Sequence, residues 1–410
     1  MGHSVKSKSQ GRRRAALALA PGLIAFSMGQ TVLFAIAGPV IRDIGLTEFQ
    51  LGLIVSAAAV VFVIASPIWG RISDQWGRKR VILTGLLTYS LISLAFACVM
   101  DIGLMGWMEA GAVFFTLLTL RVLYAALGTG IQPSSVALMA DLSSDEDRSS
   151  AVAIVGAAFG FGMILGPAAA ALLVGFGVLT PLYAIAGLGF VCLLIVLFFL
   201  DAPPAKTGDK GAKEALEYSK LLPIMAITLL LFTATSGLQQ TIAFYVQDYL
   251  GADTATAARM TGICFVAMAS ASLVSQGILI QLFKPGPGAL LKVGLPIMAV
   301  GMALYALPVN YWQIVVACGV IGLGFGFASP GVISAASLRA GSNSQGAAAG
   351  VIQALMAAGY IFGPLIGTGG YQASPMLAAG FIVISIGLSA LIALMLQLEP
   401  SKDSIAKQAL

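Results

Sequence analysis

Gly70-Arg71-Ile72-Ser73-Asp74-Gln75-Trp76-Gly77-Arg78-Lys79-Arg80 decides how the rest of the chain is read. The stretch stands between two long apolar segments, 49–69 and 81–100, and gathers Arg71, Arg78, Lys79 and Arg80 into one place. An apolar run of about 20 residues crosses a bilayer as a helix. The stretch is therefore expected to be a tight, charged loop at one membrane face. Lysine and arginine collect on the cytoplasmic side of a bilayer, so this loop assigns a side to every span around it. A solvated basic turn accounts for the charge, but not for the order Gly-x3-Asp-x2-Gly-Arg-Lys-Arg.

Working outward, 59% of the 410 residues are hydrophobic and only 10% are charged, with a mean hydropathy of +0.96. Soluble domains carry about 25% charged residues, so the composition is that of a polytopic membrane protein. Its apolar runs have helix length rather than the ten-residue alternation of a barrel strand, which selects a helical bundle. The 48 glycines suit close helix packing in lipid. The net charge of +5 follows from loop asymmetry and calls for no nucleic-acid partner. Cys98, Cys192, Cys264 and Cys318 are single and lie in apolar runs, and the sole histidine is His3. That pattern provides no disulfide framework, no metal site and no cofactor site. The basic start, with Lys6, Lys8, Arg12, Arg13 and Arg14, precedes a full-length apolar segment, which is read as an uncleaved first helix rather than a signal peptide.

Twelve apolar segments follow: 15–41, 49–70, 81–100, 110–139, 150–176, 179–200, 221–247, 256–282, 288–307, 311–337, 346–370 and 374–397. The longest polar gap, Asp201–Lys220, contains Pro203-Pro204 and mixed charges, and it divides the spans six and six. The expected organisation is a tail (1–14), a six-helix bundle (15–200), a linker (201–220), a second six-helix bundle (221–398) and a tail (399–410). With both termini cytoplasmic, all of the 22 lysines and arginines except Arg42, Arg121 and Arg259 fall on the cytoplasmic side. An internal repeat supports the division: at one constant spacing Pro133 matches Pro330, Gly162 matches Gly359, and Gly166-Pro167 matches Gly363-Pro364. Parallel repeats of this kind place a substrate site near the midplane between the halves.

The Gly70–Arg80 stretch resembles motif A of the major facilitator superfamily, the loop between its second and third helices. The resemblance implies an all-α polytopic membrane protein with two pseudo-symmetric six-helix bundles, working as a monomer in the lipid bilayer, the bacterial inner membrane. It also implies a conformational latch built from Gly70, Asp74, Gly77 and Arg78, with Asp141 as acidic partner; a solvated helix end is an equal reading of Asp141. Arg121, about 18 Å along a helix from Glu109 at 1.5 Å per residue, is the only basic residue deep in a span. A charge there costs about 2.5 kcal/mol or more, which makes it functional by default. It resembles the arginine of motif B, although Gly128 and Gly130 come later than that pattern prefers, and it is expected to attract an anionic or electron-rich group on a substrate. The alternative is a structural arginine satisfied by carbonyls or by Gln30. Gly162, Gly166 and Pro167 resemble motif C, the antiporter signature of the drug:proton branch, with Ala153, Ala170 and Ala171 where glycine is usual.

Polar and adaptable residues within the spans mark a candidate substrate site: Gln30, Arg121, Tyr124, Met163, Gln239, Gln240, Gln353 and Tyr360. Uncharged hydrogen-bonding groups among apolar side chains suit a small amphipathic molecule. Proton-coupled exporters usually carry a carboxylate in the membrane; here all 17 acidic residues lie in loops or near span ends. Glu109 and Asp248 are the remaining candidates for proton coupling. The expected function is export of a drug, siderophore-like compound or other metabolite by alternating access, with protons as the coupling ion implied by the family alone. A facilitative carrier, a metabolite importer and a lipid or lysolipid transporter are the alternatives. An enzyme is not expected, because no set of histidine, cysteine and carboxylate forms within the spans.

Overall fold

A computed structural model describes residues 2–143, 148–201, 218–307, 310–340 and 344–396. Among these residues the chain is all-helical, with twelve helices long and apolar enough to cross a membrane. They are Arg13–Asp43, Glu48–Trp76, Arg78–Leu104, Ala110–Asp141, Ala153–Phe176, Thr180–Phe199, Leu221–Leu250, Thr254–Phe283, Pro287–Ala306, Tyr311–Ala340, Ala347–Ala373 and Pro375–Met395. Each coincides with one of the twelve apolar segments, and most run a few residues further into the polar flanks. The first helix begins at Gly2, inside the stretch read as a tail. Extending a helix that already exists costs little per residue, so polarity alone does not end it. Most of the polar gap after Asp201, and the segment 399–410, lie outside the described residues.

The Gly70–Arg80 stretch is not the loop that its charge predicts. The second helix runs to Trp76 and the third starts at Arg78, so Gly77 alone separates them. Its φ of +100° is a conformation that other residues rarely adopt. Around Gly70 there is open space, so that glycine is not a point of close helix contact.

The fourth span also departs from a plain helix: Ala110–Gly128 and Ile131–Asp141 meet at a turn over Thr129 and Gly130. Pro133 has no N–H to continue the ladder. The turn leaves the Ala126 carbonyl open, and the Trp69 indole N–H donates to it at 2.6 Å. A half-buried backbone acceptor within a span is thereby satisfied from the second span.

Two compact units form, one of Met1–Asp209 with Gln247–Gly262, the other of Lys210–Val246 with Ile263–Leu410. Residues 247–262 thus pack with the first unit rather than with their neighbours in sequence. Gly262 explains part of this, because its backbone closes on the Pro167 carbonyl and on Ala171. Small residues do the packing inside each unit, as expected where lipid is as apolar as the side chains. In the first unit, Gly162 and Gly166 lie against Ile24, Ser27, Met28 and Thr31 of the first span, and a methyl group at Gly166 would stand 2.7 Å from the Met28 carbonyl oxygen. Ser27 donates across this contact to the Phe159 carbonyl at 2.7 Å. The second unit repeats the device: Gly359, Gly363 and Gly367 lie against Phe232, Thr233, Ser236 and Gly237 of the seventh span. There Ser236 donates to the Gly359 carbonyl at 2.8 Å. The glycine–proline repeat in the sequence is a repeated helix contact, sealed each time by one serine.

Candidate functional site

At the junction of the second and third helices, Gly77 lets the chain reverse and sets Arg78 into the protein, where it is buried. Its Nη1 stands 2.5 Å from Asp74 Oδ1 and donates to Ser73 Oγ at 2.5 Å, while Nε donates to Asp141 Oδ2 at 3.3 Å. One guanidinium therefore joins the end of the second span, the start of the third and the end of the fourth. The family resemblance implied Asp141 as partner of Asp74 and Arg78, beside an equal reading as a solvated helix end, and the structure brings the three together; Ser73 was not foreseen.

Inside the first unit, Gln30, Arg121 and Tyr124 form one cluster. Gln30 Nε2 donates to Tyr124 Oη at 2.9 Å, and Arg121 Nη2 donates to Gln30 Oε1 at 3.4 Å. The guanidinium carbon is 5.3 Å from the centre of the Tyr124 ring, within range of a cation–π attraction. The ring in turn packs on Phe26 and Tyr89. Arg121 as a residue is half-buried, but its Nε is fully enclosed and has no hydrogen-bond partner. Among the described residues it makes no ion pair. Beside it lies a cavity of about 30 Å³. Met163, on the fifth span, is exposed and forms no part of this cavity's lining.

In the second unit, Gln239 and Gln240 are both buried on the seventh span. Tyr360 is half-buried, with its ring 6.0 Å from that of Phe232. Gln353, seven residues earlier on the same helix, is exposed. The glutamines of the seventh span and the residues of the eleventh are thus separate features of one unit, not a cluster like that around Arg121.

The two candidates for proton coupling are differently placed. Glu109 is exposed at the start of the fourth helix, where the helix dipole favours its charge. Asp248 is already paired: Arg42 donates to both of its oxygens, at 2.5 and 3.0 Å. The same guanidinium binds Glu48 through Nε and Nη2 at 2.8 and 2.6 Å and Gln247 at 3.2 Å. Asp43 alongside accepts from the Thr254 hydroxyl at 2.5 Å. Sequence reading missed this cluster, though Arg42 carried a signal, as one of the few basic residues on the wrong face for the charge bias. Among the described residues no group of histidine, cysteine, aspartate or glutamate is arranged to hold a metal ion.

A family model described as Major Facilitator Superfamily matches residues 19–364. The chain is 25% identical over 361 residues to "Multidrug resistance protein 2" of Bacillus subtilis (strain 168), covering 84% of this chain and 86% of that protein. It is 24% identical over 337 residues to "Quinolone resistance protein NorA" of Staphylococcus aureus (strain COL), covering 80% and 82%. Among solved structures, a bacterial homolog of the human lysosomal transporter Spinster superposes with a TM-score of 0.71 at 16% identity, over 95% of this chain and 99% of that one. At that identity the likeness speaks for the fold alone. Twelve spans, the helix contact repeated in both halves and a family match over most of the length agree: the chain belongs to the major facilitator superfamily, and is a multi-pass membrane transporter of the major facilitator fold.

Proposed function

We propose that the chain is a secondary active exporter of small amphipathic molecules, working by alternating access in the bacterial inner membrane with both termini in the cytoplasm. The observation that carries this reading is the match to a multidrug resistance protein and a quinolone resistance protein over four-fifths or more of both lengths. The fifth span supports it, since Gly162 and Gly166, in the stretch that resembles the antiporter signature, are a built contact with the first span. In this reading the Asp74–Arg78–Asp141 cluster is the cytoplasmic latch that favours the outward-facing state, and the protein acts as a monomer. Arg42, Glu48 and Asp248 form a second charge cluster, at the opposite face in this reading.

The test is uptake of a fluorescent amphipathic dye into inverted membrane vesicles with and without an imposed proton gradient. Export driven by protons gives uptake that stops when the gradient is collapsed. A specific observation favours a second reading, a facilitative carrier: every acidic residue in the described spans lies within a helical turn of a span end. Uptake indifferent to the gradient selects that reading. No uptake of any amphipathic probe overturns both.

A further inference from the structure

The cluster around Arg121 is unbalanced in a way that defines its missing partner. Arginine carries five N–H donors and no acceptor; here one donor reaches Gln30 at 3.4 Å, and the enclosed Nε reaches nothing. The orientation of the Gln30 amide is fixed by this contact, because reversing it would set an NH2 group against a guanidinium. Its nitrogen therefore donates to Tyr124 Oη, and the Tyr124 hydroxyl hydrogen is left over as another donor. The cavity beside them is lined by Gly29, Ser93, Phe96 and Ile185 together with Arg121 and Tyr124. Donors are in surplus, a full positive charge is uncompensated, and the other walls are neutral. At about 30 Å³ the cavity has room for roughly two water-sized groups, the two oxygens of a carboxylate or one halide ion.

We propose that this cavity is a binding site for one compact, singly charged anion, which completes the hydrogen bonding of the Arg121 guanidinium and of Tyr124 Oη. The anion is the carboxylate head of an organic-acid substrate or a free inorganic anion such as chloride. This deepens the transport reading, on which it rests for a substrate, by assigning the exporter an anionic or zwitterionic cargo or an anion that travels with it. An anion also fits a bundle that has no carboxylate of its own in the membrane interior to balance Arg121.

The site is tested on the purified full-length protein in detergent by following its melting temperature, with sodium sulfate holding ionic strength. Sodium benzoate, sodium chloride and tetraphenylphosphonium are titrated separately. Stabilisation by benzoate but not chloride assigns the site to an organic carboxylate; stabilisation by both, with chloride competing against benzoate, assigns it to a free small anion. Arg121→Gln is expected to weaken anion binding about ten- to a hundred-fold, the range for a hydrogen bond to a charged partner. Tyr124→Phe, which removes only the hydroxyl, should weaken it by about ten-fold, the low end of the same range, and serves where Arg121→Gln fails to fold. Wild-type protein indifferent to both anions overturns the proposal, as does anion binding unchanged in Arg121→Gln or in Tyr124→Phe. Binding is read without transport, so the two readings fail separately. Benzoate held through Arg121 by a protein that moves no probe sinks the exporter alone, whereas full export without anion binding sinks the site alone.

Discussion

Arg78 pairs with two carboxylates that differ sharply in their surroundings, and the difference predicts which one holds the structure and which one switches it. The Arg78 side chain is 8% exposed, Asp74 47% and Asp141 18%. Although the contact to Asp74 is the shorter, at 2.5 Å against 3.3 Å, half of that carboxylate is in water, where an ion pair contributes about 0.2–1 kcal/mol. The Asp141 contact is drier, and a hydrogen bond to a charged partner contributes about 1.5–3 kcal/mol; its length puts it at the low end. Asp74→Asn is therefore expected to cost less than about 1 kcal/mol of stability. Asp141→Asn is expected to cost about 1.5–2 kcal/mol, and Arg78→Ala about 3 kcal/mol, because it leaves the half-buried Asp141 unpaired. Unfolding of the purified variants in mixed micelles, titrated with sodium dodecyl sulfate, measures all three. Transport of the dye into vesicles then separates the roles: Asp74→Asn should fold normally and yet transport poorly. An Asp74→Asn variant as unstable as Asp141→Asn would refute the burial argument, and one that transports at the wild-type rate would refute the latch.

Two further outcomes follow from contacts described above. Gly166→Ala and Gly363→Ala each push a methyl group into a neighbouring backbone and are expected to destabilise by about 1–3 kcal/mol. Gly160→Ala on the same fifth helix meets open space and should be neutral; equal losses at all three positions, read from melting temperatures, would sink the helix-contact account. Arg42 sees Glu48 at 16% exposure and Asp248 at 45%, so a double-mutant cycle should give Arg42–Glu48 a coupling above about 1 kcal/mol and Arg42–Asp248 a smaller one. The reverse ranking would place the outer cluster's anchor at Asp248.

How far the sequence could be read depended on the length over which its signals are summed. Hydropathy accumulates over some twenty residues, so the twelve spans survive individual exceptions such as Arg121. The glycines at 162, 166, 359 and 363 were equally legible, because a missing side chain in lipid has few uses besides close approach. Charge was a poorer guide. It placed Asp74, Arg78 and Asp141 at one face, but it also suggested a loop across Gly70–Arg80, where only Gly77 leaves helical geometry. Nothing between Gly70 and Trp76 breaks a helix, and polarity does not do so by itself. The pairing of Arg42 with Asp248 spans 206 residues and rests on where residues 247–262 dock, which no local pattern encodes. Gln30, Arg121 and Tyr124 were each singled out for being polar within a span. That they converge, and that one nitrogen is left without a partner, is a property of two helices together that neither carries alone.

The turn at Gly77 has a mechanical side. A connection of five or six residues would let its two helices tilt independently, taking up the difference as slack. One residue offers only its own two torsions, and here the next residue is clamped to two oxygens of the second helix and one of the fourth span. Any twist of the second helix about its axis is therefore handed on to the third, like a crank with no play in its joint.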